Sequence, residues 1–74
     1  MDVERLVQMA NDIGDYFGSD PDREAGITGM RNHLERFWAP RMRRRIITHL
    51  ADGGDGLGAI ARAAIGRLEM PPGT

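Results

Sequence analysis

Seventy-four residues, a formal charge of −1 and no cysteine narrow the possibilities at once. A chain of this length forms one small domain, and folding buries only about 60–65% of its unfolded surface, so stability is marginal. Disulfides and thiolate metal sites are excluded, and no apolar run reaches the roughly 20 residues of a membrane-crossing helix.

The first helix is predicted from Asp2 onward. Asp2 suits an N-cap, and Glu4 sits near the positive end of the helix dipole. Val3, Leu6, Val7, Ala10, Ile13 and Phe17 then recur on one face, with Gln8, Asp12 and Asp15 opposite. Gly18 is expected to end this helix as a left-handed cap, and Gly14 to admit another helix at close range. Ser19-Asp20-Pro21-Asp22 reads as a restart, with Pro21 at the first helical position. Helix two then runs from about Pro21 to Trp38, with a narrower stripe of Ile27, Met30, Leu34, Phe37 and Trp38. Gly26 and Gly29 weaken its first half.

Pro40 disfavours helical geometry at Ala39 and sets a corner. Helix three is predicted from Pro40 to Ala51, with Met42, Ile46, Ile47 and Leu50 inward and Arg43 beside that apolar face. Asp52-Gly53-Gly54-Asp55-Gly56 is a loop, with Gly53 a C-cap and Asp55 an N-cap. Helix four, from about Leu57 to Glu69, carries Leu57, Ile60, Ala61, Ala64, Ile65 and Leu68 on one stripe. Residues 1–69 form the domain, and Met70-Pro71-Pro72-Gly73-Thr74 is a flexible tail. No segment alternates with period two. The fold class is all-α: a small bundle of about four short helices with a helix–Pro–helix elbow.

The core is lean, since thirteen Leu, Ile and Val and eight Ala are joined by only four aromatic residues. Either the helices pack closely or another chain covers part of the apolar surface. The N-terminus is acidic and amphipathic, unlike a signal or transit peptide, so a cytoplasmic location is expected. Charge is divided along the chain. Residues 1–24 carry seven acids and two Arg (−5), residues 25–50 six Arg and one Glu (+5), and the remainder −1. Such asymmetry favours oriented docking on a partner.

Catalytic chemistry finds little support. His33 and His49 lack a second ligand at helical spacing, Asp12 and Asp15 lie on a polar face, and Gly53-Gly54-Asp55-Gly56 has neither a preceding strand nor a Lys. Thr48 and His49 are adjacent on a helix and do not face each other. The run Arg41, Arg43, Arg44, Arg45 has three readings: a protein interface, a solvated face paired with the acidic first helix, or a phosphate-binding surface. The near-neutral charge disfavours nucleic acid, which is kept as the alternative. Trp38 reads equally as core or as a half-exposed anchor.

The string Phe37-Trp38-Ala39-Pro40-Arg41-Met42-Arg43, with His33 and Leu34 just upstream, resembles the central motif of the delta subunit of NAD-dependent formate dehydrogenase. Leu6-Val7-Gln8-Met9-Ala10-Asn11-Asp12-Ile13 is similar to that family's N-terminal helix. The Gly53-Gly54 turn and the Leu/Ala-rich helix after it resemble its C-terminal part, so the likeness spans most of residues 3–68. One departure is Ala39, where the family often has Asp; helix three loses a natural N-cap there. The resemblance implies a bacterial, cytoplasmic accessory subunit without catalysis or cofactors of its own. The large subunits would hold the molybdenum or tungsten pterin, the iron–sulfur clusters, FMN and NAD. On that reading His33, Phe37, Trp38, Arg41, Met42, Arg43 and Arg44 are the partner-binding residues, with no nucleic acid and no membrane among the partners. Self-association of the isolated chain is a third reading.

Overall fold

The computed structural model describes residues 2–72, and these form four helices in chain order. They are α1 (Val3–Gly18), α2 (Arg23–Phe37), α3 (Pro40–Ala51) and α4 (Ala59–Gly66). No strand occurs among the described residues. Asp2 caps α1 as its sequence position predicts, accepting from the Glu4 N–H at 3.0 Å. The other end differs from expectation. Gly18 is helical, the C-cap is Ser19 in right-handed geometry, and its hydroxyl donates to the Tyr16 carbonyl at 2.7 Å. A bonding side chain thus closes the helix where a left-handed glycine was expected.

Pro21 likewise lies outside α2. Asp22 is the N-cap, with its carboxylate accepting from the N–H groups of Glu24 and Ala25. Asp20 in turn accepts from the Asp22 N–H at 2.8 Å, so two consecutive Asx contacts turn the chain between α1 and α2. The elbow follows at Trp38 and Ala39, both extended; Pro40 disfavours helical geometry at Ala39, the residue before it. α3 has the predicted bounds.

The loop after α3 closes as a Schellman motif. Gly53 N–H donates to the Leu50 carbonyl and Gly54 N–H to that of His49, with Gly53 at φ +117°. Asp55 does not cap α4. That role belongs to Gly58, which has no side chain; Asn11 of α1 reaches across instead. Its Oδ1 accepts from the Gly58 N–H, and its Nδ2 donates to the Gly56 carbonyl, each at 2.8 Å. α4 is also shorter than periodicity suggests. Leu57 and Leu68 lie outside the helix yet are buried, so the apolar stripe outlasts the helical hydrogen bonding.

α1 packs on α2, α3 and α4, and α4 on the other three, whereas α2 and α3 scarcely touch although the elbow joins them directly. The space between them is filled by a closed core of Leu6, Ala10, Ile27, Met30, Leu34, Trp38, Ile46, Leu57, Ala61, Ala64, Ile65 and Leu68. Gly14 lets α4 approach as predicted, since a Cβ there would stand 3.4 Å from the Ala61 nitrogen. The radius of gyration is 11.3 Å, which is what a single closed domain of this length shows. Close packing therefore accounts for the lean core. The expected tail 70–74 falls partly outside the described residues, at 73 and 74. Of the rest, Pro71 is buried, and the Pro72 carbonyl accepts from Arg44 Nη2 at 2.9 Å.

Candidate docking surface

The end of α2 presents two aromatic residues in succession and treats them in opposite ways. Trp38 is 5% exposed and belongs to the core; Phe37 is 66% exposed. Helical geometry explains the split. Trp38 lies four residues after Leu34, on the buried face, and its N–H still donates to the Leu34 carbonyl at 3.0 Å. Phe37 lies four after His33 instead, on the outer face. Trp38 is therefore not the exposed anchor that one reading of the motif allowed, and Phe37 is not part of the inward stripe.

Phe37 ends a strip of rings that crosses two helices. Its centroid is 4.8 Å from that of His33; His33 is 5.7 Å from Phe17, and Phe17 meets Tyr16 edge-on at 5.1 Å. These are distances at which aromatic pairs attract. Tyr16, at the far end, is 75% exposed. The strip can form because α2 is bare beneath it. A Cβ at Gly29 would stand 2.8 Å from the Phe17 ring, and one at Gly26 would drive into the Phe17 carbonyl. The glycines that weaken α2 as a helix are thus the seat of α1's aromatic end. At the Phe37 end, the Arg36 guanidinium carbon lies 5.8 Å above the ring centroid, within cation–π range.

Beyond the elbow the arginines divide by depth. Arg41 and Arg45 are exposed, while Arg43 and Arg44 are half-buried. Arg43 Nη1 donates to the Glu35 carbonyl at 3.4 Å, which ties the first turns of α3 back to α2. Its buried Nε has no hydrogen-bond partner among the described residues. Met42, predicted at the docking surface, is half-buried against the core. Ion pairs do not neutralise this face: the two that occur among the described residues are Arg31–Glu35 and Arg67–Glu24. The acidic first helix therefore does not pair with the α3 arginines, contrary to the solvated-pair reading.

No group of three or more His, Cys, Asp or Glu stands ready for a metal among the described residues. His49 Nε2 is occupied by the Asp55 carbonyl at 2.8 Å, and His33 is stacked in the aromatic strip. A depression of about 520 Å³ on α1 is lined by Asp2, Glu4, Arg5, Val7, Gln8, Asn11 and Asp12, with no histidine among them. No helix among the described residues is long and apolar enough to cross a membrane.

Of the seven residues assigned to a partner surface from sequence, the fold brings His33 and Phe37 together on one strip and Arg41 onto the neighbouring exposed face. Trp38 and Met42 face inward, and Arg43 and Arg44 are partly engaged. Sequence reasoning missed Tyr16 and Phe17 as members of the strip, and Arg36 as its cationic end. The i, i+4 spacing of His33 and Phe37 was a visible signal, whereas the join to Phe17 is tertiary.

Comparison with known proteins agrees with the motif around the elbow. No curated protein and no solved structure gives a significant match. The family model described as the NADH-dependent formate dehydrogenase delta subunit, FdsD, matches residues 5–65, from the first helix through Ile65 of α4. A match over that share of 74 residues reaches into all four helices and spans the elbow between α2 and α3, and the chain belongs to the formate dehydrogenase delta subunit family.

Proposed function

We propose that this chain is a non-catalytic accessory subunit that docks on the larger subunits of a cytoplasmic NADH-dependent formate dehydrogenase and supports their assembly, stability or activation. The observation that carries this reading is Phe37: a large aromatic side chain two-thirds exposed, in a domain whose core closes without it. An exposed ring flanked by arginine is the composition that interface hot spots favour. In this reading the pterin metal, iron–sulfur clusters, FMN and NAD reside in the partner subunits. The lack of any cysteine is consistent with that division, because clusters are held mainly by thiolates.

Phe37→Ala is the test. The substitution removes a largely exposed ring and its stacking on His33, so stability should fall by no more than about 1.5 kcal/mol by thermal unfolding. Co-purification with the large subunits should be lost. A Phe37→Ala chain that is retained on the complex as well as wild type would overturn the reading.

A further inference from the structure

Arg41, Arg44 and Arg45 stand at i, i+3 and i+4 on α3, with Thr48 one turn further on. These four residues line an open groove of about 330 Å³. Arginine stems give its walls apolar methylene surface, and the guanidinium groups supply positive charge. Among the described residues neither ion pair involves any of them, and the one hydrogen bond from this set goes to a neutral acceptor, the Pro72 carbonyl. Like charges three and four residues apart on a helix repel each other. Among the described residues no carboxylate relieves this electrostatic conflict.

We propose that this groove receives an acidic segment of a partner subunit, with two or more carboxylates set against Arg41, Arg44 and Arg45 and an apolar side chain along their stems. The proposal rests on the accessory-subunit reading and adds the chemistry of the partner. Guanidinium forks suit carboxylates because they bind both oxygens at once. A nucleic acid suits the surface less well. Residues 1–24 carry −5 and would repel a polyanion, and three guanidinium groups fall short of the roughly 6–10 phosphate contacts of a strongly salt-dependent binder. A second copy of the chain is the other competitor, since α1 has carboxylates of its own.

The test uses Arg41→Glu/Arg45→Glu, a double variant at two exposed positions, with an unchanged far-UV spectrum as the check on folding. Arg41→Gln/Arg45→Gln, which removes charge without reversing it, serves as the second variant. Binding is measured to formate dehydrogenase large subunits prepared without this chain, from about 50 to about 500 mM NaCl. Wild-type affinity should fall at least ~10-fold over that range. The Glu variant should bind at least ~30-fold more weakly at the lowest salt, with the Gln variant in between and both salt dependences flattened. Unchanged affinity and salt dependence in both variants would overturn the proposal; Phe37→Ala failing to bind in the same assay would leave the accessory reading standing. Should the wild-type chain itself not bind, the accessory reading falls and this proposal with it. Comparable binding of a short duplex DNA at the same salt would assign the groove to nucleic acid instead. Self-association of the isolated chain that is lost in the Glu variant would assign it to a second copy.

Discussion

The starts of α2 and α3 are built in opposite ways. Asp22 caps α2 with two hydrogen bonds and Glu24 follows in the first turn, so dipole, cap and charge all agree. α3 starts at Ala39 with no side-chain cap and no acid in its first turn, and four of its first six residues are arginine. Every local term that favours α2's start is missing or reversed in α3. What holds α3 is tertiary: Trp38 just before it and Ile46 within it are both buried in the common core. Local rules suffice where an element must form by itself. Where an element is presented to a partner, the core takes over and the surface is released for other chemistry.

The largest expected effect follows from Trp38. Trp38→Ala should destabilise by about 3–5 kcal/mol, as truncations of buried aromatic residues do. That is a large part of the 5–15 kcal/mol that a typical domain possesses, so urea unfolding followed by circular dichroism should show an early transition or none. A stable Trp38→Ala chain would mean that α3 is held by something other than the core. Set beside Phe37→Ala, which should leave the fold alone, it separates the two aromatic neighbours.

A smaller effect contrasts a local cap with a distant one. Asn11→Ala removes two hydrogen bonds that α1 makes to the loop before α4 and should cost about 1–2 kcal/mol. Asp22→Ala should cost about 1 kcal/mol. Chemical denaturation of the two variants side by side decides this, and an Asn11→Ala chain as stable as wild type would refute the distant cap. The smallest change runs the other way. Ala39 is already extended, with ψ 150°, as an N-cap requires. Ala39→Asp should therefore raise stability by about 0.5–1 kcal/mol, readable as a small rise in the unfolding midpoint. No rise would show that the first turn of α3 gains nothing from a local acid.

Much of the architecture was legible because its signals are local. Pro40 and Gly53 bracket α3 without error, and Asp2 starts α1. The errors fall where the deciding atom comes from elsewhere in the sequence. Asp55 looked like a cap for α4, but the acceptor that serves is on Asn11, 47 residues from Gly58. Gly18 looked like a terminator, but the Ser19 hydroxyl closes that end. Around the elbow the residue types pointed to a surface, but burial is set by all four helices together. Trp38 and Phe37 are adjacent aromatic residues, and it is their spacing from Leu34 and His33 that sets them on opposite faces of the helix end. The loop before α4 hid a further device, an Arg62 side chain that donates to the carbonyls of Leu57, Gly53 and Gly54. An arginine inside an Ala-rich helix gives no warning of such a role.

The link between Asn11 and Gly58 also bears on the order in which the chain folds. α4 has eight residues, too few to persist in water by itself, and its first turn is completed only by a side chain from α1. Stable helicity there is expected only once α1 is in place. Hydrogen exchange at the α4 amides should therefore proceed through global unfolding rather than local fraying, so that the last helix serves as a reporter for the integrity of the whole domain.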